Sequence, residues 1–250
     1  MPAPLGKARL NAITGRDVTA FRKKLHEAKG ISKAHETCKW LRHLFNVAKQ
    51  QKLVTVNPME DLKIPRPPAR QVYWLEEEVN AVISKAMEMD RQSVALAIRL
   101  AFDTGQREGD VLSMRWSHLI GNEITVKQAK GGASVCIPCL PELTRALSVT
   151  PKTSTHLVVS ETTHRPYKQY NFVHVVAEVI EAAGFKGKRY GDLRRSAVAR
   201  LAMSNCTIPM IASITGHSYT RCEEILETYL PRSTEMARLA IEHVLQARSK

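Results

Sequence analysis

The sequence predicts a mostly helical protein with one small antiparallel β-sheet, a fold of the α+β class. Apolar residues recur at helical spacing along most of the 250-residue chain. Only the segments 123–127 and 133–137 alternate as strands do, and Gly131 and Gly132 between them indicate a hairpin turn. Four prolines between residues 58 and 68 separate a small helical part from a larger one.

The first part is predicted to be a basic helical domain over residues 1–66. Thr14 is the expected N-cap of a helix that ends at Gly30, and a second helix follows to about Gln51. Residues 1–70 hold 15 lysines and arginines against 5 acidic residues, so they carry a net charge of +10 out of the chain's +13. This concentration of charge favours nucleic-acid binding. Four basic residues on the second helix are the expected DNA contacts: Lys33, Lys39, Arg42 and Lys49.

Residues 67–72 are predicted to be a proline-rich linker, and residues 73–250 a second domain. This domain is expected to begin with helices from Glu76 and from about Ser93. After the hairpin, a short segment near 157–159 is a candidate edge strand. Periodicity then predicts helices at about 170–183, 192–204, 207–214, 219–228 and 234–247. The last of these could pack on its own subunit or on a neighbouring one.

Composition indicates a soluble protein of the cytoplasm or nucleoid, with no membrane partner. No apolar run approaches the roughly 20 residues that span a bilayer, and the first seven residues lack the apolar core of a signal peptide. The five cysteines are scattered and show no disulfide framework. Cys136 and Cys139 have the spacing of a metal pair but no second ligand pair, so buried, reduced thiols are favoured over a metal site.

Five widely spaced residues could together cleave a phosphodiester. Two arginines can clamp phosphate oxygens, a lysine or histidine can protonate a leaving oxygen, and a tyrosine can hold the phosphate covalently. Each of these residues alone has an ordinary structural explanation, such as a surface ion pair. Lys127 competes with the hairpin lysine, and Tyr219 competes with the late tyrosine, although it lies only two residues after the histidine. The set is Arg107, Lys130, Arg194, His217 and Tyr229.

The order and spacing of these motifs resemble the tyrosine recombinase (phage integrase) family over nearly the whole chain. The motifs are the turn Thr104-Gly105-Gln106-Arg107, the hairpin Lys130, the run Gly191-Asp192-Leu193-Arg194, the pair Gly216-His217, and Tyr229 near the C-terminus. The resemblance implies that residues 1–66 form a helical core-type DNA-binding domain and that residues 73–250 form the catalytic domain.

The resemblance also implies a role for each residue. Arg107 and Arg194 would bind the scissile phosphate, and Lys130 would be the general acid. His217 would support the transition state, and Tyr229 would be the nucleophile that forms a 3′-phosphotyrosyl intermediate. Asp110, three residues after the first arginine, would orient its neighbours.

The implied activity is site-specific recombination on double-stranded DNA, performed by a homotetramer with accessory DNA-bending proteins. No cofactor, whether metal or nucleotide, would be needed, because the phosphotyrosyl bond conserves the energy for religation. A type IB topoisomerase-like activity is the nearest alternative, and a catalytically impaired DNA-binding or architectural protein is the alternative from another class.

Two departures from the family pattern bear on this expectation. The family has a histidine three residues before the second arginine, and Gly191 stands there in this chain. Lys188, Tyr190 or water are the candidates to fill that space. The family also has a further helix or two before the equivalent of Ile13, so the first domain is expected to be truncated or reduced.

Overall fold

The computed structural model describes residues 5–68, 70–229, 237, 238, 240–242, 244 and 245. Helices dominate it, together with one three-stranded antiparallel sheet, so the predicted fold class is confirmed. The chain divides into two compact units, Met1–Arg70 and Gln71–Lys250. Within the described residues, no helix combines the length and the apolar character needed to cross a membrane.

The first unit is built on the long helix α1 (Gly15–Gln50), preceded by single 3-10 turns at Leu5–Lys7 and Leu10–Ala12. The hydroxyl of Thr14 accepts from the Asp17 amide at 3.3 Å, and the Asp17 carboxylate accepts from the Thr14 amide at 3.0 Å. This reciprocal capping fixes the start of the helix. At Gly30 the backbone turns to φ 80° and ψ 167°, which divides α1 into two helical halves as the sequence predicts.

The segment that follows α1 returns along it and completes a small apolar core. Arg42 donates from Nε to the Met59 carbonyl at 3.1 Å and from Nη2 to the Leu62 carbonyl. The buried Asn57 side chain donates to Asn46 Oδ1 at 2.7 Å. The core of this unit consists of Val18, Cys38, Phe45, Ala48, Val54 and Met59.

Helix α3 lies at the centre of the second unit. It is buried along almost its full length, including Arg99 and Asp103, which form an ion pair of 3.6 Å. The other helices pack around it and its neighbours. In chain order the helices of this unit are α2 (Glu76–Glu88), α3 (Gln92–Thr104), α4 (Glu108–Leu112), α5 (Pro141–Val149), α6 (Gln169–Ala182), α7 (Leu193–Met203), α8 (Ile208–Thr215) and α9 (Tyr219–Tyr229).

The four helices predicted between residues 170 and 228 agree with α6 to α9 within one or two residues. Single 3-10 turns lie at Trp116–His118 and Tyr190–Asp192. In the fifth predicted helix, 234–247, the residues 237, 238, 240–242, 244 and 245 are helical, and the other positions lie outside the described residues.

The sheet has the order β1 (Leu119–Ile120), β2 (Glu123–Lys127) and β3 (Ser134–Pro138), and both pairings are antiparallel. The predicted strand at 157–159 is wrong, because that segment forms only an isolated bridge between Val159 and Pro166. The strand that adds to the predicted hairpin is β1 instead. Its two residues are too few to show alternation in the sequence.

Alternation along β2 and β3 decides which side chains face the core. Ile124 and Val126 are buried on β2, and Val135 and Ile137 are buried on β3. Cys136 therefore faces outward and is exposed, which corrects the expectation of a buried thiol there, whereas Cys139 is buried. Within the described residues, no group of three or more histidine, cysteine or acidic side chains could hold a metal ion.

Candidate functional site

Arg107 lies in the turn between α3 and α4, at the N-cap of α4. Helix α3 ends at Gly105 with φ 64°, and a Cβ at this position would lie 2.8 Å from the Thr215 side chain, so only glycine fits. From this turn Arg107 Nη1 donates to Gln128 Oε1 at 2.8 Å and to the Lys130 carbonyl at 3.3 Å. Its side chain remains 35% exposed, so the guanidinium is held but still accessible.

Asp110 joins this turn to the β2–β3 hairpin. Its buried carboxylate accepts from the Ala129 amide at 2.9 Å through Oδ1. Its Oδ2 lies 3.7 Å from Arg107 Nη1. One carboxylate thus contacts both the hairpin backbone and the first arginine, which is the geometry expected of an orienting residue.

The hairpin places Lys130 beside Arg107 through its own backbone carbonyl. The side chains of Lys130 and Lys127 are both exposed. Among the described residues, Lys127 makes no comparable contact with Arg107. The assignment of Lys130 rather than Lys127 as the lysine of the site stays a prediction.

Arg194 lies in the first turn of α7 and is almost completely buried. Its Nη1 donates to the Gly105 carbonyl at 2.5 Å, and its Nε donates to His217 Nε2 at 3.1 Å. Its Nη2 is buried and has no hydrogen-bond partner in the described part of the chain. Burial, and next the charge of Arg107, lower the pKa of Arg194 to about 10, so it keeps its charge at neutral pH.

His217 follows Gly216, the left-handed residue that ends α8 at φ 66°. The Nε–H of Arg194 can only donate, so His217 Nε2 must accept, and the ring proton lies on Nδ1. Nδ1 then donates to Thr215 Oγ1 at 2.9 Å, and that hydroxyl donates to the Ile211 carbonyl at 2.8 Å. Burial, together with the charges of Arg194 and Arg107, lowers the pKa of His217 to about 3, which keeps the ring neutral.

Two buried glutamines that the sequence analysis did not select connect these segments. Gln106 and Gln128 are each about 1–2% exposed and hydrogen-bond to each other at 2.6 Å. A usable signal was present, because Gln128 continues the inward-facing register of Ile124 and Val126 on β2. An amide on a core-facing position must find buried partners.

The position that departs from the family pattern is open. Gly191 is exposed, and a Cβ built there would meet nothing within 4 Å. The two side chains expected to fill the space are engaged elsewhere, so those expectations are wrong. Tyr190 is buried and donates to the Ala97 carbonyl at 2.9 Å, and Lys188 pairs with Glu78 and lies 5.0 Å above the Trp74 ring.

The two candidate tyrosines lie at opposite ends of α9. Tyr229 is its last residue, and the side chain of Tyr229 lies outside the part that the structure describes. Tyr219 is its first residue and is 58% exposed. Helix α9 packs on α7, which carries Arg194, and on α8, which ends just before His217.

The four basic residues expected to bind DNA belong to the first unit. Lys33 pairs with Glu36 at 3.0 Å and Lys49 with Glu60 at 2.9 Å, and both lysines remain exposed. Lys39 is exposed as well. Arg42 differs, because its guanidinium stabilises the unit's own backbone at Met59 and Leu62. DNA contact by these residues stays a prediction.

In the second unit, the arrangement suits a tetrahedral oxyanion. Two guanidinium groups lie close enough for the charge of one to lower the pKa of the other. The buried Nη2 of Arg194 has no hydrogen-bond partner in the part of the chain that the structure describes, and the adjoining histidine is neutral. An anion bound there would offset the repulsion between the two arginines and accept from the unpartnered donor.

Comparison with known proteins agrees with this geometry. The sequence model of the Phage integrase family matches residues 73–231. The integrase of Enterobacteria phage 434 is 28% identical over 134 residues, a match that covers 54% of this chain and 37% of that protein. This chain therefore matches well under half of that relative's length.

Solved structures show the same fold. A lambda integrase dimer bound to a COC′ core site superposes with a TM-score of 0.74 at 20% identity, covering 90% of this chain and 67% of that one. A lambda integrase tetramer bound to a Holliday junction gives 0.70 at 20% identity, covering 84% and 65%. With the family model matching more than half of its residues, the chain belongs to the phage integrase family of tyrosine recombinases.

Proposed function

We propose that this chain is a site-specific DNA recombinase of the integrase type, which cleaves and rejoins DNA strands through a 3′-phosphotyrosyl intermediate. The observation that carries the proposal is the buried Nη2 of Arg194, a charged donor that has no partner among the described residues and belongs to a guanidinium whose pKa is lowered by the charge of Arg107. A buried, unpaired cationic donor is costly, so its retention favours a role in binding an anion. The anion that fits the family is a DNA phosphate.

The proposed binding site for the scissile phosphate uses both arginines. Arg194 Nη2 would donate to one non-bridging oxygen, and Arg107, fixed by Gln128 and the Lys130 carbonyl, would donate to another. His217 accepts a hydrogen bond from Arg194 Nε, and this contact keeps the guanidinium oriented toward the phosphate. Fixed positive donors around these oxygens stabilise the charge that develops in the transition state.

In the proposed cleavage step, the Tyr229 oxygen attacks the phosphorus and the bond from phosphorus to the 5′ oxygen breaks. Lys130 donates a proton to the departing 5′ oxygen. The reverse step, in which a 5′ hydroxyl attacks the phosphotyrosine, restores the phosphodiester and frees the tyrosine. Bond energy is conserved in the intermediate, so the cycle needs no cofactor.

The proton of the attacking phenol is proposed to leave to solvent at Gly191. The open space at this residue supports water there, since among the described residues nothing lies within 4 Å of a Cβ built on Gly191. The same observation supports the second candidate function, a DNA-binding or architectural protein with impaired cleavage. Water is a weaker and less ordered acceptor than a fixed imidazole, so cleavage would be slower than with a histidine.

The proposed substrate is double-stranded DNA, bound by the basic first unit as well as by the site. Exposed Lys33, Lys39 and Lys49 are its candidate phosphate contacts. We propose that the active form is a homotetramer on DNA, by analogy with the lambda integrase tetramer on a Holliday junction. Accessory DNA-bending proteins and action in the nucleoid are part of the same proposal.

Selection from a random duplex pool would first identify the preferred DNA site. A duplex containing that site, nicked just downstream of each candidate phosphate, would then be incubated with the protein and resolved on a denaturing gel. Trapped covalent adduct is expected for the wild-type chain and for Tyr219→Phe, and none for Tyr229→Phe. Tight, specific binding without any adduct at any position would reject cleavage and favour the DNA-binding alternative.

A further inference from the structure

We propose that Gln128, together with Gln106, is a positioning residue that fixes the Arg107 guanidinium and locks three segments of the site in one arrangement. The segments are the α3–α4 turn at 104–107, the hairpin at 128–130 and the α8–α9 turn at 214–217. The inference rests on the proposed function for its catalytic consequence, but its structural part can be tested without DNA.

The orientation of both amides is determined by their partners. Gln106 Nε2 donates to the carbonyls of Thr104 and Ile214, each at 2.9 Å, so its Oε1 must act as an acceptor. Gln128 Nε2 donates to that Oε1 at 2.6 Å and to the Thr215 carbonyl at 2.8 Å. With both its protons used, Gln128 can only present Oε1 to Arg107 Nη1, which it does at 2.8 Å.

The network is therefore complete. Both N–H donors of each amide are used, and each amide oxygen accepts one hydrogen bond, all within a nearly solvent-free region. Fully satisfied buried networks rigidify their surroundings, because any displacement leaves a buried polar group unpaired. Movement of any one of the three segments would break at least one of these bonds.

Close packing reinforces the network at two glycines. A Cβ on Gly216 would overlap the Gln128 amide, and a Cβ on Gly105 would lie 2.8 Å from Thr215 Cγ2. Both glycines end helices in the left-handed conformation, at φ 66° and 64°. Gly216 thus packs directly on the Gln128 amide, and Gly105 packs on Thr215, whose carbonyl accepts a hydrogen bond from Gln128.

Arg194 provides an internal comparison, since it is held by the Gly105 carbonyl and His217 and contacts neither glutamine side chain. Loss of the Gln128 acceptor should therefore loosen Arg107 more than Arg194, which keeps its own hydrogen bonds to Gly105 and His217. Gln128→Met keeps the length and bulk of the side chain but removes the acceptor and both donors. Gln128→Glu keeps an acceptor for Arg107 but faces Gln106 Oε1 and the Thr215 carbonyl with a second acceptor.

The test is NMR relaxation of arginine Nε–Hε groups in the full chain, which reports order on the ps–ns timescale. Gln128→Met should lower the order parameter of Arg107 clearly more than that of Arg194. Gln128→Glu should preserve the order of Arg107 while lowering thermal stability. Tyr190→Phe, which loses one buried hydrogen bond outside the network, is the control for a general loss of stability and should leave Arg107 ordered.

On a verified DNA site, Gln128→Met should reduce the single-turnover rate of adduct formation about 10- to 100-fold, in keeping with the cost of misplacing a reacting group by about 1 Å. DNA affinity should change far less, and Gln128→Glu should recover part of the rate.

An unchanged Arg107 order parameter in Gln128→Met would overturn the inference. Should that variant not fold, Gln128→Asn, one methylene shorter, replaces it. If the wild-type chain forms no adduct, the proposed function fails while the NMR result still decides this inference.

Discussion

Arg194 donates from Nε to His217 Nε2 at 3.1 Å, and this contact fixes the chemical state of both side chains. The histidine must be neutral and protonated on Nδ1, and within the described residues the buried Nη2 of the arginine has no hydrogen-bond partner. Residues 23 positions apart in the sequence are thus joined in the site proposed to bind the phosphate. Protonation of His217 would remove the acceptor and place a second charge beside Arg194.

Stability should therefore depend on pH through His217. Its pKa in the folded chain is about 3, below the ordinary 6.5, so between these values the unfolded chain binds a proton that the folded chain does not. Stability should be fully present above about pH 6.5 and should fall as pH decreases toward 3. His217→Gln should flatten this dependence, measured by urea unfolding at about pH 4.5, 5.5 and 7.

The exposed His174→Gln on α6 is the control for that experiment and should retain the wild-type pH dependence. An equal dependence in wild type and His217→Gln would show that the buried imidazole does not contribute. Binding of inorganic phosphate at the site should raise the pKa of His217, because an anion favours the charged ring.

Local signals in the sequence were sufficient for much of the fold. Capping at Thr14, the break at Gly30 and the periodicity of α6 to α9 all depend on residues a few positions apart. Strand β1 was missed because two residues cannot display a period, and 157–159 was misassigned because a short apolar run has no unique structure.

For the site, too, some features could be predicted from the sequence and others depend on the folded structure. The motif residues were found through the family pattern, but their electrostatic state depends on tertiary contacts. The neutral form of His217 results from burial beside two arginines from other segments. The pairing of Gln106 with Gln128 joins residues 22 positions apart. Lys188 and Tyr190 were expected to fill the space at Gly191 because they are its sequence neighbours, yet the fold directs them elsewhere.

Gly216→Ala should destabilise the second unit strongly. The residue has φ 66°, and a Cβ there would overlap the Gln128 amide. Gly132→Ala is a matched control, because its φ is 69° but a Cβ there would meet nothing within 4 Å. Left-handed strain alone should cost about 1–2 kcal/mol in the control. Gly216→Ala should cost about 1–3 kcal/mol more from overpacking, as measured by chemical unfolding. Equal losses in the two variants would argue against a tight fit at Gln128.

Gly191→His should increase the rate of cleavage. Among the described residues, a Cβ at this position would meet nothing within 4 Å, so the first atom of a new side chain has room. An imidazole there could accept the phenol proton of Tyr229, and a positioned general base typically contributes about 10²–10⁴-fold to rate. Adduct formation per unit time on the verified site is the measurement, with Gly191→Gln as a control of similar bulk and no comparable basicity. A rate equal to that of wild type would show that proton removal by residue 191 does not limit cleavage.

Lys130→Met should abolish most cleavage, because the 5′ alkoxide is a poor leaving group without a proton donor. A substrate in which sulfur replaces the bridging 5′ oxygen tests this role directly. A thiol has an ordinary pKa near 8.5, so a thiolate leaves without protonation. The sulfur substrate should therefore restore cleavage by Lys130→Met nearly to the wild-type rate, but should not rescue Arg194→Met, whose defect is in phosphate binding.

Lys127→Met is the matched control, since Lys127 is also exposed but lacks the backbone contact that places Lys130 beside Arg107. If the sulfur substrate restores cleavage by neither lysine variant, Lys130 is assigned to phosphate binding. If only Lys127→Met shows a cleavage defect, the general-acid role passes to Lys127.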